Sequence, residues 1–375
     1  MSNVQLDRPR AYVASRGWPS VTRAQQRTPR KAEGLLSAPI VIGLVGGLLA
    51  TLLFFWIAAE GSAVPEKPHH VPVAVVGPTH AVEELATMLQ HDGAFKVIAE
   101  GSDGRAIKLA GRRGADAIVD LYNHELQTVP AASTLTPIVL EHIFSSPDSP
   151  VHLREVAVTP LAAGDPNGMG LMLFLPLASV LGGLPAGLAL ALLTKPRRPR
   201  SLVEAGMRLA RMVVYAGLLA LFLALLADGI LGYGGSQMLT IWGWSTLLVA
   251  ACMACAEAFV SALSLVGFAL AAIPLLFFGI PSVPWPTPAN WQSGVFRILG
   301  PYDPVAATAD GVRNGVFFGS ADPTKDVLVL AIWIIVPVLL MLTLGVQSQA
   351  RGSEPGGGRE KGGYRQTAVA SVSES

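Results

Sequence analysis

The chain reads as a polytopic α-helical membrane protein, with about six transmembrane helices and a small α/β extracytoplasmic domain between helices 1 and 2. Three observations predict this. Hydrophobic residues make up 51% of the 375-residue sequence and charged residues only 14%, against about a quarter charged in a soluble domain, and mean hydropathy is +0.49. Apolar runs long enough to cross about 30 Å of hydrocarbon recur along the chain, with basic residues crowding their ends. Between the first run and the second lies a polar stretch whose apolar segments switch between strand and helix spacing.

Residues 1–37 are polar and basic, carrying Arg8, Arg10, Arg16, Arg23, Arg27, Arg30 and Lys31, and read as a disordered cytoplasmic tail. Residues 38–60 form transmembrane helix 1. Its apolar run exceeds the roughly 7–15 residues of a cleaved signal core, so it is expected to be a retained anchor. Gly43 and Gly47 make a G-x-x-x-G, which reads either as a close helix contact or as the ordinary abundance of glycine in membrane helices.

Residues 61–168 form the extracytoplasmic domain. Residues 71–77 (VPVAVVG) make a first buried strand, and 81–90 place Val82, Leu85, Ala86 and Leu89 on one helical face. Residues 95–99 give a second strand. The Gly-Ser-Asp of 101–103 can cap a helix running through Ile107, Leu109 and Ala110, and 115–121 supply a third strand. This β-α-β-α-β succession predicts a partly parallel sheet. A further helix is expected over 135–144 and a short strand over 155–159. So small a domain buries little core by itself.

The remaining apolar sequence, 169–347, is expected to hold five spans at about 169–194, 208–232, 238–256, 258–280 and 326–347. The first is interrupted by Pro176, Gly182, Gly183 and Pro185 and ends at the basic cluster 195–200, which the positive-inside rule places in the cytoplasm. Residues 201–211 read as an interfacial helix leading into the next span. The block 238–280 is about 65 Å long as helix, twice one crossing, so it must reverse once; Glu257 marks the expected cytoplasmic turn. Residues 281–325 read as a Pro- and Trp-rich exterior loop, with Trp285 and Trp291 at the interface. Residues 348–375 form a second disordered cytoplasmic tail. Both tails and the 195–211 loop then lie on one side, which requires an even number of spans and fits six. The expected location is the plasma membrane, multi-pass with both termini cytoplasmic, and the Ala-, Gly- and Arg-rich composition is compatible with a bacterium.

Little in the sequence points to catalysis. The charged ends are a statement about topology, so no nucleic-acid partner is expected. No G-x-x-x-x-G-K-[ST] loop is present to cradle nucleotide phosphates. Asp228, Glu257 and Asp326 all fall near expected span ends, which argues against self-contained ion coupling. The histidines, His69, His70, His80, His91, His124, His142 and His152, all lie in the polar domain. They lack the i,i+4 spacing of a helical metal site, and their clustering follows from exclusion of histidine from spans. Cys252 and Cys255 have C-x-x-C spacing but lie in an apolar span without nearby histidine, so packing as small hydrophobes is expected over redox chemistry. Asp103, Arg105, Arg112 and Arg113 read either as a site for an anionic headgroup or as a solvated helix face. Asp303 and Arg313 bracket the last exterior loop and are expected to form a salt bridge that shapes it. With no Ser-His-Asp order and no paired carboxylates, neither an enzyme nor a cofactor is expected.

Three stretches carry a resemblance. Residues 71–77 with 114–119, residues 160–168 (PLAAGDPNG), and residues 299–304 (LGPYDP) with 310–319 (DGVRNGVFFG) are similar to the exterior strands, the run into span two and the final exterior loop of the phage-infection-protein-like membrane family. That family belongs with type-2 ABC exporter permeases. The present domain is short and lacks the long helical insertion of larger members. The resemblance implies a permease-like fold and export of a hydrophobic or lipid-linked molecule. With no phosphate-cradling loop in the sequence, the energy is expected from a separate ATPase chain, and the exporter subunit is expected to form a homodimer. Such an ATPase is expected to couple through a surface made by Glu204, Arg208, Arg211 and Glu257. The alternative is a non-transporting envelope sensor or scaffold acting through its extracytoplasmic domain.

Overall fold

A computed structural model of the protein describes residues 68–352, apart from 92, 147–150, 195–198, 200 and 320. The two expected tails, the G-x-x-x-G and transmembrane helix 1 lie outside the described residues. Five of the described helical segments are long and apolar enough to cross a membrane: Gly170–Leu193, Val203–Leu231, Ser236–Leu263, Leu265–Ser282 and Thr324–Thr343. The architecture is that of a multi-pass membrane protein with a small sheet domain ahead of these helices.

The sheet domain runs β1 (Val71–Val76), α1 (Thr79–Gln90), β2 (Phe95–Glu100), α2 (Asp103–Ala110), β3 (Ala117–Asp120), β4 (Glu125–Thr128), α3 (Leu135–Ser145) and β5 (Arg154–Ala157). Strand order is β2-β1-β3-β4-β5. The β1–β2 and β1–β3 pairs are parallel, as two helical crossovers require. Strand β4 returns antiparallel to β3, and β5 lies parallel to β4. The period of two along β1 sorts its side chains. Val71, Val73 and Val75 meet α1 and α3 through Leu85, Leu89, Leu140 and Phe144. Ala74 and Val76 face Ala106 and Ala110 of α2, and this second layer is closed by Phe318 from far along the chain. The tight β3–β4 turn is built on Asp120, whose carboxylate accepts from the backbone N–H groups of Tyr122 (2.9 Å) and Asn123 (3.2 Å). Asp103 begins α2, but its carboxylate accepts from the Gln127 side chain at 2.9 Å and makes no cap bond.

The first described span starts in a π-helical turn, Gly170–Phe174, and continues as α4 (Leu175–Leu193). Asp165 starts it: its two carboxylate oxygens accept from Gly170 N (3.0 Å) and Leu171 N (2.9 Å), satisfying donors a helix leaves open at its N-terminus. Helix α5 (Leu202–Leu226) follows, capped by the Ser201 hydroxyl accepting from Glu204 N at 3.1 Å. Next comes α6 (Ser236–Leu263), the most enclosed span. Gly183 and Gly187 let α4 lie directly on α6: a Cβ at Gly187 would stand 2.7 Å from Met253 O and 2.8 Å from Ala256 Cβ. This is a small-x-x-x-small contact of the kind that brings membrane helices close.

The reversal after α6 falls at Ser264 (φ 61°) and not at Glu257, where the sequence reading placed it. The physical reason is that Glu257 is neutralised within the bundle and needs no water. Helix α7 (Leu265–Ala272) returns through a π-helical stretch to α8 (Gly279–Ser282). Gly267 permits the turn, since a Cβ there would lie 1.9 Å from the Phe259 carbonyl oxygen. The segment expected as an exterior loop over 281–325 is largely helical instead. It contains α9 (Gly294–Leu299) and α10 (Pro304–Phe317), and most of α10 is buried. Helix α10 packs its Gly311 on Trp244 and its Gly315 on Thr240 of α6, while Val305, Ala309 and Val312 join the bundle core. Helix α11 (Thr324–Gly352) is the last span.

Candidate functional site

The expected coupling residues converge, but inside the bundle. Arg208 of α5 and Glu257 of α6 are both fully buried; Arg208 Nη1 donates to Glu257 Oε1 at 3.3 Å and its Nη2 to Glu204 Oε1 at 3.0 Å. Glu204 sits one helical turn before Arg208, partly exposed. Glu257 lies about 9 Å from the end of α6, within the spanning helix. Its Oε2 is buried without a hydrogen-bond partner among the described residues. Arg208 and Glu257 are therefore not available as a docking surface, which corrects that part of the expectation: a charge buried in a membrane helix is stable only when paired internally. Arg211 is exposed and Glu204 partly so.

Beside this triad, a groove of about 700 Å³ opens between α4 and α5. Its walls are apolar, from Ala186, Ala189, Leu190 and Leu193 on α4, Met207 and Tyr215 on α5, and Met253 on α6. Its polar end is formed by Thr194, Glu204, Arg208 and Arg211. A volume in the range of ligand pockets, apolar along its length and charged at one end, suits an amphiphilic molecule.

A second cluster joins the sheet domain to α10. Asp303 and Arg313, expected to pair with each other, do not. They stand ten residues apart on one helix, which is about 15 Å of rise. Asp303 is the N-cap of α10, accepting from Val305 N (2.8 Å) and Ala306 N (3.3 Å). Burial pushes its carboxyl up to about 7 despite those two bonds. Arg313 pairs with Asp310 one turn earlier and donates to the carbonyls of Ala132 (3.2 Å) and Pro284 (3.4 Å). Burial lowers this guanidinium to about 10, with nearby Arg113 adding to the effect. Arg113 donates to Asp310 at 3.3 Å and to Asn314 Oδ1 at 2.9 Å. Burial alone would raise the Asp310 carboxyl, but Arg313 and Arg113 together hold it below the usual carboxylate range. Asp116, half-buried nearby, is pushed up to about 6 by desolvation against the pull of Arg113 and Arg313. Among the four residues read as headgroup site or solvated face, only Arg112 and Arg113 come to this junction.

Asp165, Asp310 and Asn314 were missed by sequence reasoning. Asp165 had a signal, an acidic residue in a Gly-Asp-Pro-Asn-Gly run just before an apolar stretch. Asp310 also had one, its i,i+3 spacing to Arg313. Cys252 and Cys255 are both free and buried; Cys252 packs against Gly183, and the Cys255 thiol lies 3.7 Å from Trp333 O. Among the described residues no three His, Cys, Asp or Glu side chains are placed to hold a metal ion. No family model, curated protein or solved structure matches the chain.

Proposed function

We propose that the chain is the permease-like membrane subunit of an exporter, moving a hydrophobic or lipid-linked molecule with energy supplied by a separate ATPase. The observation that carries this reading is the amphipathic groove between α4 and α5, about 700 Å³ in volume and closed at one end by Glu204, Arg208 and Arg211. An acyl or prenyl tail lies along Ala186, Ala189, Leu190 and Met253 while a polar head meets the charged end. The triad behind the groove holds Arg208 from two sides, and the accessible charge that a polar head meets is that of Glu204 and Arg211. The resemblance of the junction and loop sequences to type-2 ABC exporter permeases supports the same reading. In it, the cytoplasmic docking surface belongs to the 195–211 region, where Arg211 is exposed.

The test is photo-crosslinking in nanodiscs with a phospholipid carrying a photoactivatable acyl chain, with mass spectrometry locating the adducts. Adducts are expected at Ala189, Leu190 and Met253, and Ala189→Trp, which fills the groove, is expected to abolish them. An ATPase is expected to co-purify with the wild type and to be lost with Arg211→Glu. Adducts spread evenly over all lipid-facing helices, together with no co-purified ATPase, overturn the proposal. A second reading, a non-transporting envelope sensor or scaffold, is favoured by one observation: the buried Arg313 fastens the sheet domain to the bundle through Ala132 O.

A further inference from the structure

A cavity of about 330 Å³ lies where the sheet domain meets the segment between α8 and α11. We infer that it is a binding site for a small zwitterion bearing a primary ammonium at one end and a phosphate ester at the other, the chemistry of a phosphoethanolamine group. The inference does not rest on transport, and it concerns a different cavity from the groove.

The walls come from distant parts of the chain. Arg112, Arg113 and Asp116 belong to the sheet domain, while Asn290, Asn314 and Asp322 belong to the later segment. Arg313 holds the two walls together, donating to Ala132 O on one side and Pro284 O on the other. Arg113 does the same by reaching Asp310 and Asn314 on α10. The cavity is therefore built before any ligand arrives, as small-molecule sites usually are.

The decisive feature is which charged side chains of the lining make no hydrogen bond. Arg113 is engaged by Asp310 and Asn314. Asp322 accepts from the Thr324 backbone N–H (3.0 Å) and hydroxyl (2.5 Å). The Arg112 guanidinium and the Asp116 carboxylate make no side-chain hydrogen bond to any described residue, although both line the cavity. Asp116 is also partly removed from water without a donor to replace it, and that desolvation raises its carboxyl to about 6. Asp116, drawn toward Arg113 and Arg313 but hydrogen-bonded to neither, and the exposed Arg112 guanidinium line one cavity and form a dipolar receptor.

Charge selects the class of ligand. The lining carries two cations, Arg112 and Arg113, and two anions, Asp116 and Asp322. A simple anion or cation meets a like charge wherever it sits, whereas a zwitterion gives Asp116 a donor and Arg112 an acceptor at once. Shape and hydrogen bonding then narrow it. No aromatic side chain lines the cavity, so it offers no cation–π cage for a quaternary ammonium. A primary ammonium donates N–H bonds to Asp116, and Arg112 forks onto phosphate oxygens. At about 30 Å³ per water, the volume is roughly that of eleven waters, which admits a molecule of about ten to fifteen heavy atoms. The same group can arrive free or as the headgroup of a membrane lipid.

The test is titration calorimetry on the full chain in phosphatidylcholine nanodiscs, with glycerophosphoethanolamine as the probe. Saturable 1:1 binding is expected, with glycerophosphocholine and inorganic phosphate each at least tenfold weaker. Asp116→Asn is expected to reduce the preference for the ethanolamine ester over the choline ester to under twofold. Arg112→Gln is expected to weaken both esters by tenfold or more. Neither side chain holds the fold together by a hydrogen bond, and far-ultraviolet circular dichroism confirms that each variant is folded. Nanodiscs containing phosphatidylethanolamine separate the sources: loss of probe binding there identifies the lipid headgroup, and unchanged binding identifies a free zwitterion. Absence of saturable binding in phosphatidylcholine nanodiscs overturns the inference. So does equal binding of phosphate alone, or an Asp116→Asn variant that keeps the full ethanolamine preference.

Discussion

Consider replacing Arg208 by Met, Glu257 by Leu, and both together. In the wild type the two side chains are fully buried and 3.3 Å apart. With an effective dielectric constant of about 20, that separation gives an attraction of about 5 kcal/mol. Arg208→Met leaves the Glu257 carboxylate buried without its paired guanidinium. Glu257→Leu takes the fully buried carboxylate from Arg208 and leaves it beside Glu204, which is partly exposed and 3.0 Å away. Removing one member of a buried pair costs about 3–5 kcal/mol, whereas replacing both by apolar residues of similar volume is often neutral or better. The double variant is therefore expected to fall within about 2 kcal/mol of wild type, since it strands no fully buried charge and Glu204 is partly exposed. The coupling energy is then at least about 4 kcal/mol. Equilibrium unfolding in lipid–detergent mixtures of increasing sodium dodecyl sulfate content, followed by tryptophan fluorescence, gives all four corners of the cycle. If the double variant loses the sum of the two singles to within about 0.5 kcal/mol, the side chains do not interact and the buried triad is refuted.

Other predictions follow the same logic. Asp116, raised to about 6, contributes stability that is full below its ordinary value of about 4 and is lost as pH rises through about 6. Asp116→Asn is expected to stabilise the protein by about 1–3 kcal/mol at pH 7.5 after allowance for solvent screening. That gain should vanish at pH 4, as thermal unfolding at the two pH values will show. Gly187→Leu drives a side chain into the α6 backbone near Met253 and is expected to abolish a monodisperse peak in size-exclusion chromatography. Gly217→Leu, where a Cβ meets nothing within 4 Å, is expected to leave the peak unchanged. Arg313→Met removes the donor to Ala132 O and one of the two guanidinium partners of Asp310, leaving Arg113. It is expected to loosen the sheet domain, raising hydrogen exchange around 129–136 at least tenfold while leaving α6 protected.

The membrane character and the strand–helix alternation were legible because both rest on hydropathy, which is additive along the chain. The strands around Val73 and Val119 and the helix around Leu140 follow from the same reasoning. Strand β4 was not legible: Glu125–Thr128 has a single aliphatic residue and gains its place by pairing with β3. The reversal at Ser264 also escaped, because Glu257 drew attention as the one charge in a long apolar block. Its partner, 49 positions earlier, cannot be inferred from local pattern. Helix α10 looked like loop because its sequence is rich in Ala, Gly and polar residues. Those small residues are what allow it to pack closely against α6. The Asp303–Arg313 pairing failed for a geometric reason, since an N-cap and a residue three turns on cannot touch. The groove and the junction cavity each depend on several elements meeting in space, and spacing along the sequence carries no trace of that.

The glycine contact between α4 and α6 has a mechanical side. Interdigitated side chains act as gear teeth, and helices joined that way resist sliding until the teeth disengage. Gly183 and Gly187 present a smooth track, with Cys252, Met253 and Ala256 riding directly against backbone. A track of this kind offers less steric resistance to a small shear of α4 than meshed side chains do. Because α4 also forms one wall of the groove, such a shear would change the groove's width.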